Sequence, residues 1–72
     1  MDAFGKLENG MNAADVEALV GFNANVLRTN FELTWVVDGY RLYVGFYSTG
    51  AMTITDAART PPGGVSQSRD FD

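Results

Sequence analysis

The dipeptide Asp38-Gly39 constrains this chain more than any other feature. Asp-Gly between alternating apolar runs favours a two-residue hairpin loop, because both central positions of that turn need positive φ, which Gly and Asp tolerate. Reversing the chain there sets Val37 opposite Tyr40, Trp35 opposite Leu42, Leu33 opposite Val44 and Phe31 opposite Phe46. Every pair is apolar, and side-chain alternation puts them all on one face. The other face receives Val36 with Arg41, Thr34 with Tyr43, Glu32 with Gly45 and Asn30 with Tyr47. A one-residue slip would turn the whole apolar set to the opposite side. Turn chemistry and polarity pattern therefore select the same register independently.

A third strand is expected beyond this hairpin. Ser48-Thr49-Gly50 reads as a three-residue loop with Gly50 in the left-handed position of a bulge. That loop pairs Phe46 with Met52 and Val44 with Ile54. A two-residue loop would turn Met52 and Ile54 away from the apolar face and leave the core short. The apolar face then holds Phe31, Leu33, Trp35, Val37, Tyr40, Leu42, Val44, Phe46, Met52 and Ile54.

Upstream, residues 13–28 read as the helix that covers this face. Asn12 is placed to cap it, Asp15 lies in its first turn, and Met11 and Val16 are spaced as a hydrophobic staple. Val16, Leu19, Val20, Asn23, Val26 and Leu27 fall on one stripe at helical spacing. Ala14, Ala18 and Gly21 form a second stripe of small residues. Gly21 within a helix costs about 1 kcal/mol relative to Ala, so it implies a close approach. Either it clears a bulky sheet side chain such as Trp35, or the stripe Ala14, Ala18 and Gly21 packs on a second copy of the helix.

The two ends read differently. Residues 1–10 form a short N-terminal arm in which Phe4 and Leu7 are placed to dock on the core or on a neighbouring chain, and Asn9-Gly10 reads as a turn. From residue 57 the composition shifts, with Pro61-Pro62-Gly63-Gly64 followed by Ser66-Gln67-Ser68. Pro-Pro ends a preceding element and polar residues build no core, so 57–72 reads as a flexible tail. The expected fold is α+β: one N-terminal helix packed on a three-stranded antiparallel β-meander, in two layers, with a mobile C-terminal tail. Residues 11–56 form the single domain.

The chain has 72 residues and a net charge of −4, from nine Asp and Glu against five Lys and Arg, with no Cys and no His. The absent residue types remove disulfides, Cys/His zinc sites, thiol nucleophiles and imidazole bases. Lys6, Arg28, Arg41, Arg59 and Arg69 are spread along the chain without the basic cluster that nucleic-acid binding needs. Asp38 is explained by its turn and Asp56 by a strand end. Asp15 and Glu17 point apart on the helix, and Glu32 has space opposite Gly45 but no second carboxylate placed beside it. No phosphate loop, calcium loop or nucleophile motif is present. We therefore expect no catalytic residue, no cofactor, no metal and no small-molecule substrate.

The uncharged stretch from Ala18 to Leu27 is too short to span a bilayer, and the first residues lack the basic-then-apolar order of a signal peptide, so a cytoplasmic location is expected. What remains is binding. Val36, Arg41, Tyr43, Tyr47 and Thr53 form a mixed aromatic and polar patch on the outer sheet face, and Tyr and Arg are enriched at binding hot spots. Both sheet edges lack Lys and Pro. The sequence thus points to a protein partner or to copies of the chain itself, with Arg69-Asp70-Phe71-Asp72 as a possible docking arm.

Overall fold

The computed structural model describes residues 3–47 and 52–71. It contains a 3-10 turn at Phe4–Lys6, helix α1 at Ala13–Val20, and strands β1 (Leu27–Arg28), β2 (Glu32–Val37), β3 (Tyr40–Gly45), β4 (Asp56–Thr60) and β5 (Gln67–Asp70). The five strands form one sheet in chain order, every neighbour antiparallel. The class is α+β, with five strands where three were expected.

The central hairpin has the register that its turn dictates. Val37 lies opposite Tyr40, Trp35 opposite Leu42, Leu33 opposite Val44 and Glu32 opposite Gly45. Asp38 and Gly39 both take positive φ, 51° and 82°. Leu33, Trp35, Leu42, Val44 and Phe46 are buried, with Trp35 wholly shielded. Phe31 departs from the expected core. Its strand begins one residue later, because Thr29 folds a tight turn in front of it. The Thr29 amide donates to the Glu32 carbonyl at 2.9 Å, and the Phe31 and Glu32 amides donate to Thr29 Oγ1 at 3.2 and 3.1 Å. The alternation stops there, and Phe31 is 48% exposed. Val37, beside the Asp-Gly turn, is also exposed.

Helix α1 starts as its sequence requires and stops early. Asn12 Oδ1 accepts from the Asp15 amide at 2.9 Å, and Asp15 Oδ2 accepts from the Asn12 amide at 3.1 Å, a reciprocal capping box. Gly21 then leaves the helix in the left-handed region, φ 103°, donating to the Glu17 carbonyl at 2.9 Å. A Cβ at Gly21 would meet nothing within 4 Å, so this glycine supplies a conformation, not clearance for Trp35. Trp35 instead donates its Nε1 hydrogen to the Phe22 carbonyl at 2.9 Å. Residues 21–28, expected as helix, run back along β2. The Asn25 side chain donates to the Val36 carbonyl at 3.0 Å and accepts from the Val36 amide at 2.9 Å, imitating a strand. β1 then pairs Leu27 with Thr34 and Arg28 with Leu33.

The third strand lies three residues further on than expected. Val44 faces Ala57, not Ile54, and Gly45 faces Asp56. Ile54 is still buried in the core, which it reaches from the connection before β4, whereas Met52, expected on the apolar face, is half-buried outside that cluster. The expected loop at 48–50 lies outside the described residues. Ile54 donates its amide to the Met11 carbonyl at 2.7 Å, and Thr53 bridges Asn12, which ties this connection to the start of α1.

Residues 57–70, expected as a mobile tail, supply two strands of the sheet. The residues read as a break form the turn between them. Gly64 donates to the Pro61 carbonyl at 3.0 Å, Pro62 holds the second position and Gly63 takes φ 66° at the third. That is type II turn chemistry. Phe71 is buried at the end of β5, its amide donating to the Thr55 carbonyl at 2.9 Å.

The inner face is closed from the N-terminal side. Val16 of α1 and Phe4 and Leu7 of the first segment are buried with Leu33, Trp35, Leu42, Val44, Phe46 and Ala57 in one cluster. The first segment therefore docks on the core of its own chain. Ala57, fully buried, leaves room over β4 for it. Arg69 donates to the Phe4 carbonyl at 2.6 Å and the Leu7 carbonyl at 3.2 Å, and its guanidinium lies 4.7 Å from the Phe71 ring centre. Arg59 sits 4.8 Å over the Phe4 ring. Burying Phe4 stabilises the fold by about 1.5–3 kcal/mol.

Candidate functional site on the outer sheet face

With the inner face closed, the outer face is the broad surface the sheet leaves open. Register places three rows of side chains across it. The first is Val36, Arg41 and Thr60. The middle row is Leu27, Thr34, Tyr43, Ala58 and Ser68. The last is Glu32, Gly45, Asp56 and Asp70. Along β4 and β5, the same alternation sends Arg59 and Arg69 inward and Asp56 and Asp70 outward. These two strands thus separate their charges, with cations on the core side and carboxylates on the open side, while Arg41 of β3 stays on the open side.

The carboxylate row is organised around Gly45. A side chain there would come within 2.8 Å of the Tyr43 hydroxyl and would collide with Asp56 Oδ1. Glycine lets the Tyr43 phenol and the Asp56 carboxylate meet over the strand. The Tyr43 hydroxyl donates to Glu32 Oε2 at 3.3 Å, and Asp56 Oδ1 accepts from Thr55 Oγ1 at 3.0 Å. Burial pushes the Tyr43 phenol well above its ordinary pKa, and the charge of Asp56 adds to the shift. Tyr47 is raised as well, chiefly by its hydrogen bond to Glu32. Both phenols therefore hold their protons and act as hydrogen-bond donors, shifted away from neutral pH rather than toward it.

Beside this row stands an aromatic pair. The Phe31 and Tyr47 rings stack with centroids 5.9 Å apart and planes 10° from parallel. Tyr47 is 53% exposed, so both rings present about half their surface to solvent.

Of the residues singled out by sequence, Val36, Arg41 and Tyr43 lie together on the outer face, and Tyr47 stands at its end against Phe31. Thr53 is outside the sheet, bridged to Asn12. Ala14 and Ala18 are exposed on α1, while Gly21 caps the helix and does not continue their stripe. Sequence reasoning missed Phe31, Asp56 and Asp70 as members of this surface. Glu32 was seen opposite Gly45 without a carboxylate neighbour; the shifted strand brings Asp56 to the other side of Gly45 and Asp70 next to it. The Thr29-Asn30 pair ahead of Phe31 was the available signal that the strand begins later.

A concavity of about 520 Å³ lies apart from this face, between the start of α1 and the β1–β2 turn, lined by Asn12, Ala14, Glu17, Arg28, Asn30 and Met52 among others. Arg28 grips Glu17 at its rim with two contacts, 2.8 and 3.1 Å, and that hydrogen bond holds the Glu17 carboxyl below its ordinary pKa. Among the described residues no group of three His, Cys, Asp or Glu is arranged to hold a metal ion, and no helix is long and apolar enough to cross a membrane. No family model, curated protein or solved structure matches the chain.

Proposed function

We propose that this protein is a small, non-enzymatic protein-binding module that works by occupying the surface of a larger partner, as an inhibitor, adaptor or accessory subunit. The observation that carries this reading is the asymmetry of the sheet. One face is sealed by the chain's own first segment and helix, while the other presents Val36, Arg41 and Tyr43 beside the half-exposed Phe31–Tyr47 pair. Exposed, pre-ordered aromatics lose little side-chain freedom on binding and are the residue class that dominates interfaces.

Self-assembly is the second reading, and the free rim of the sheet supports it. β5 is an edge strand of four residues whose outer side pairs with no other strand among the described residues. The experiment that separates the readings measures mass in solution across a concentration range and then captures partners with the parent and with a Tyr43→Ser/Tyr47→Ser variant. A monomer whose captured, purified partner binds the parent and not the variant supports the module. A concentration-dependent oligomer that persists in the variant points to the rim instead. Partner binding unchanged by the double substitution removes the outer face from the account.

A further inference from the structure

We propose that the occupant of the outer face is a cationic segment of a partner protein, whose Arg or Lys side chains bind the Glu32–Asp56–Asp70 row next to the Phe31–Tyr47 pair. This deepens the docking reading above and rests on it.

Charge complementarity carries the inference. Glu32, Asp56 and Asp70 project from three strands onto one side, and over Gly45 between them the Asp56 carboxylate and the Tyr43 phenol take the space of the missing side chain. Among the described residues, Arg41 is the outward-facing cation of the sheet, and it lies at the other end of β3. Arg59 and Arg69 are turned inward and engaged with Gln67, Phe4 and Leu7. Arg28 is held by Glu17. Among the described residues no Lys or Arg, Lys6 included, forms an ion pair with the row, in a chain that carries a net charge of −4. The aromatic pair adds what a cation's aliphatic stem and planar head prefer, two stacked rings with exposed faces and edges.

A second copy of the chain fits this face less well. A two-fold stack of outer faces would set one Arg41 against three carboxylates at each end, leaving negative charge uncompensated. It would also bury little area. Five strands about 4.8 Å apart and roughly 17 Å long give about 400 Å² per copy, half of the roughly 800 Å² per partner of a standard interface.

The test uses the full chain, labelled for nuclear magnetic resonance, and three peptides of equal length rich in Arg-Gly, Glu-Gly or Ser-Gly. The inference expects the Arg-Gly peptide to shift the signals of Glu32, Gly45, Tyr47, Asp56 and Asp70, while the other two leave them in place. Glu32→Gln with Asp70→Asn should weaken that binding about tenfold, as the loss of two exposed charge pairs. Asp70→Asn alone, at an exposed position, serves as the variant least able to disturb folding. Shifts centred on Glu8, Asp15 or Asp38, or equal shifts from all three peptides, overturn the proposal. Outer-face signals that move with protein concentration alone assign the face to self-association and overturn it too. A partner lost by Tyr43→Ser/Tyr47→Ser but bound undiminished by Glu32→Gln/Asp70→Asn leaves the docking reading standing and removes the cationic occupant.

Discussion

The two faces of the sheet are built from the same strands and do opposite things. The inner face gathers Leu33, Trp35, Leu42, Val44 and Ala57 under Phe4, Leu7 and Val16, and places two arginines where they hold the cover in position. The outer face gathers Glu32, Tyr43, Asp56 and Asp70 around a glycine and receives no cover from α1 or the 3-10 turn. Period-two alternation makes this division: one residue along a strand separates Arg69, bonded to the N-terminal segment, from Asp70 in solvent. The chain completes its fold on one side and leaves the other side of the sheet uncovered, the side we propose for recognition.

The largest way to break the comparison is Trp35→Ala. Removing a fully shielded side chain at the centre of the inner face should cost about 3–5 kcal/mol, enough to unfold a domain of this size; thermal melting measures it. Arg69→Ala comes next. It strands the Phe4 and Leu7 carbonyls and loosens the inner cover, for about 1–3 kcal/mol. Hydrogen exchange should show the 3–7 segment opening ahead of the β2–β3 hairpin. Gly45→Ala probes the outer face from within: the new methyl collides with Tyr43 and Asp56, and the expected loss is about 1–3 kcal/mol with the core signals in place. If Gly45→Ala melts like the parent, the Tyr43–Asp56 meeting over the strand is not tight.

A smaller, pH-dependent effect sharpens the contrast. Tyr43 has a pKa raised in the folded chain, so its contribution is fully present below the unfolded value of about 10 and is lost as pH rises through the folded value. Denaturant titrations should show stability falling above about pH 10, and Tyr43→Phe should flatten that slope, with a residue left by Tyr47. The smallest effect belongs to neither face. The Glu17 carboxyl is held low by exposed Arg28, so its contribution is present above the unfolded pKa of about 4.3 and fades as pH falls through the folded value. Glu17→Gln should remove it, seen as a parent–variant difference that shrinks in acid.

The legibility of the fold follows the range of its contacts. The β2–β3 hairpin is set by its own turn and its own alternation, so both were readable. α1 was readable at Asn12 and Asp15, where the cap is local. Its end was not, because Val26 and Leu27 continue the helical period beyond Gly21 while Asn25 makes better bonds to Val36. The C-terminal strands failed for a different reason. Ala57, Ala58, Gln67 and Ser68 carry little hydrophobic signal, since β4 and β5 are held by ladder bonds and by Arg69 reaching Phe4, 65 residues away. Pro62-Gly63 was read as a break when the same chemistry makes a turn. The outer-face residues Val36, Arg41 and Tyr43 were legible through the hairpin register. The carboxylate row was not, because Asp56 and Asp70 join it only through strands that the pattern hid.

Side-chain relaxation by a soluble paramagnetic probe, recorded on the full chain at concentrations where it is monomeric, tests the asymmetry of the faces most directly. The account predicts strong relaxation at Val36, Ala58, Tyr43 and Tyr47, and protection at Leu7, Leu33, Leu42, Val44 and Ala57. Protection of Val36, Ala58 and Tyr43 in the isolated monomer, or relaxation at Leu7 and Ala57 as strong as theirs, would contradict it.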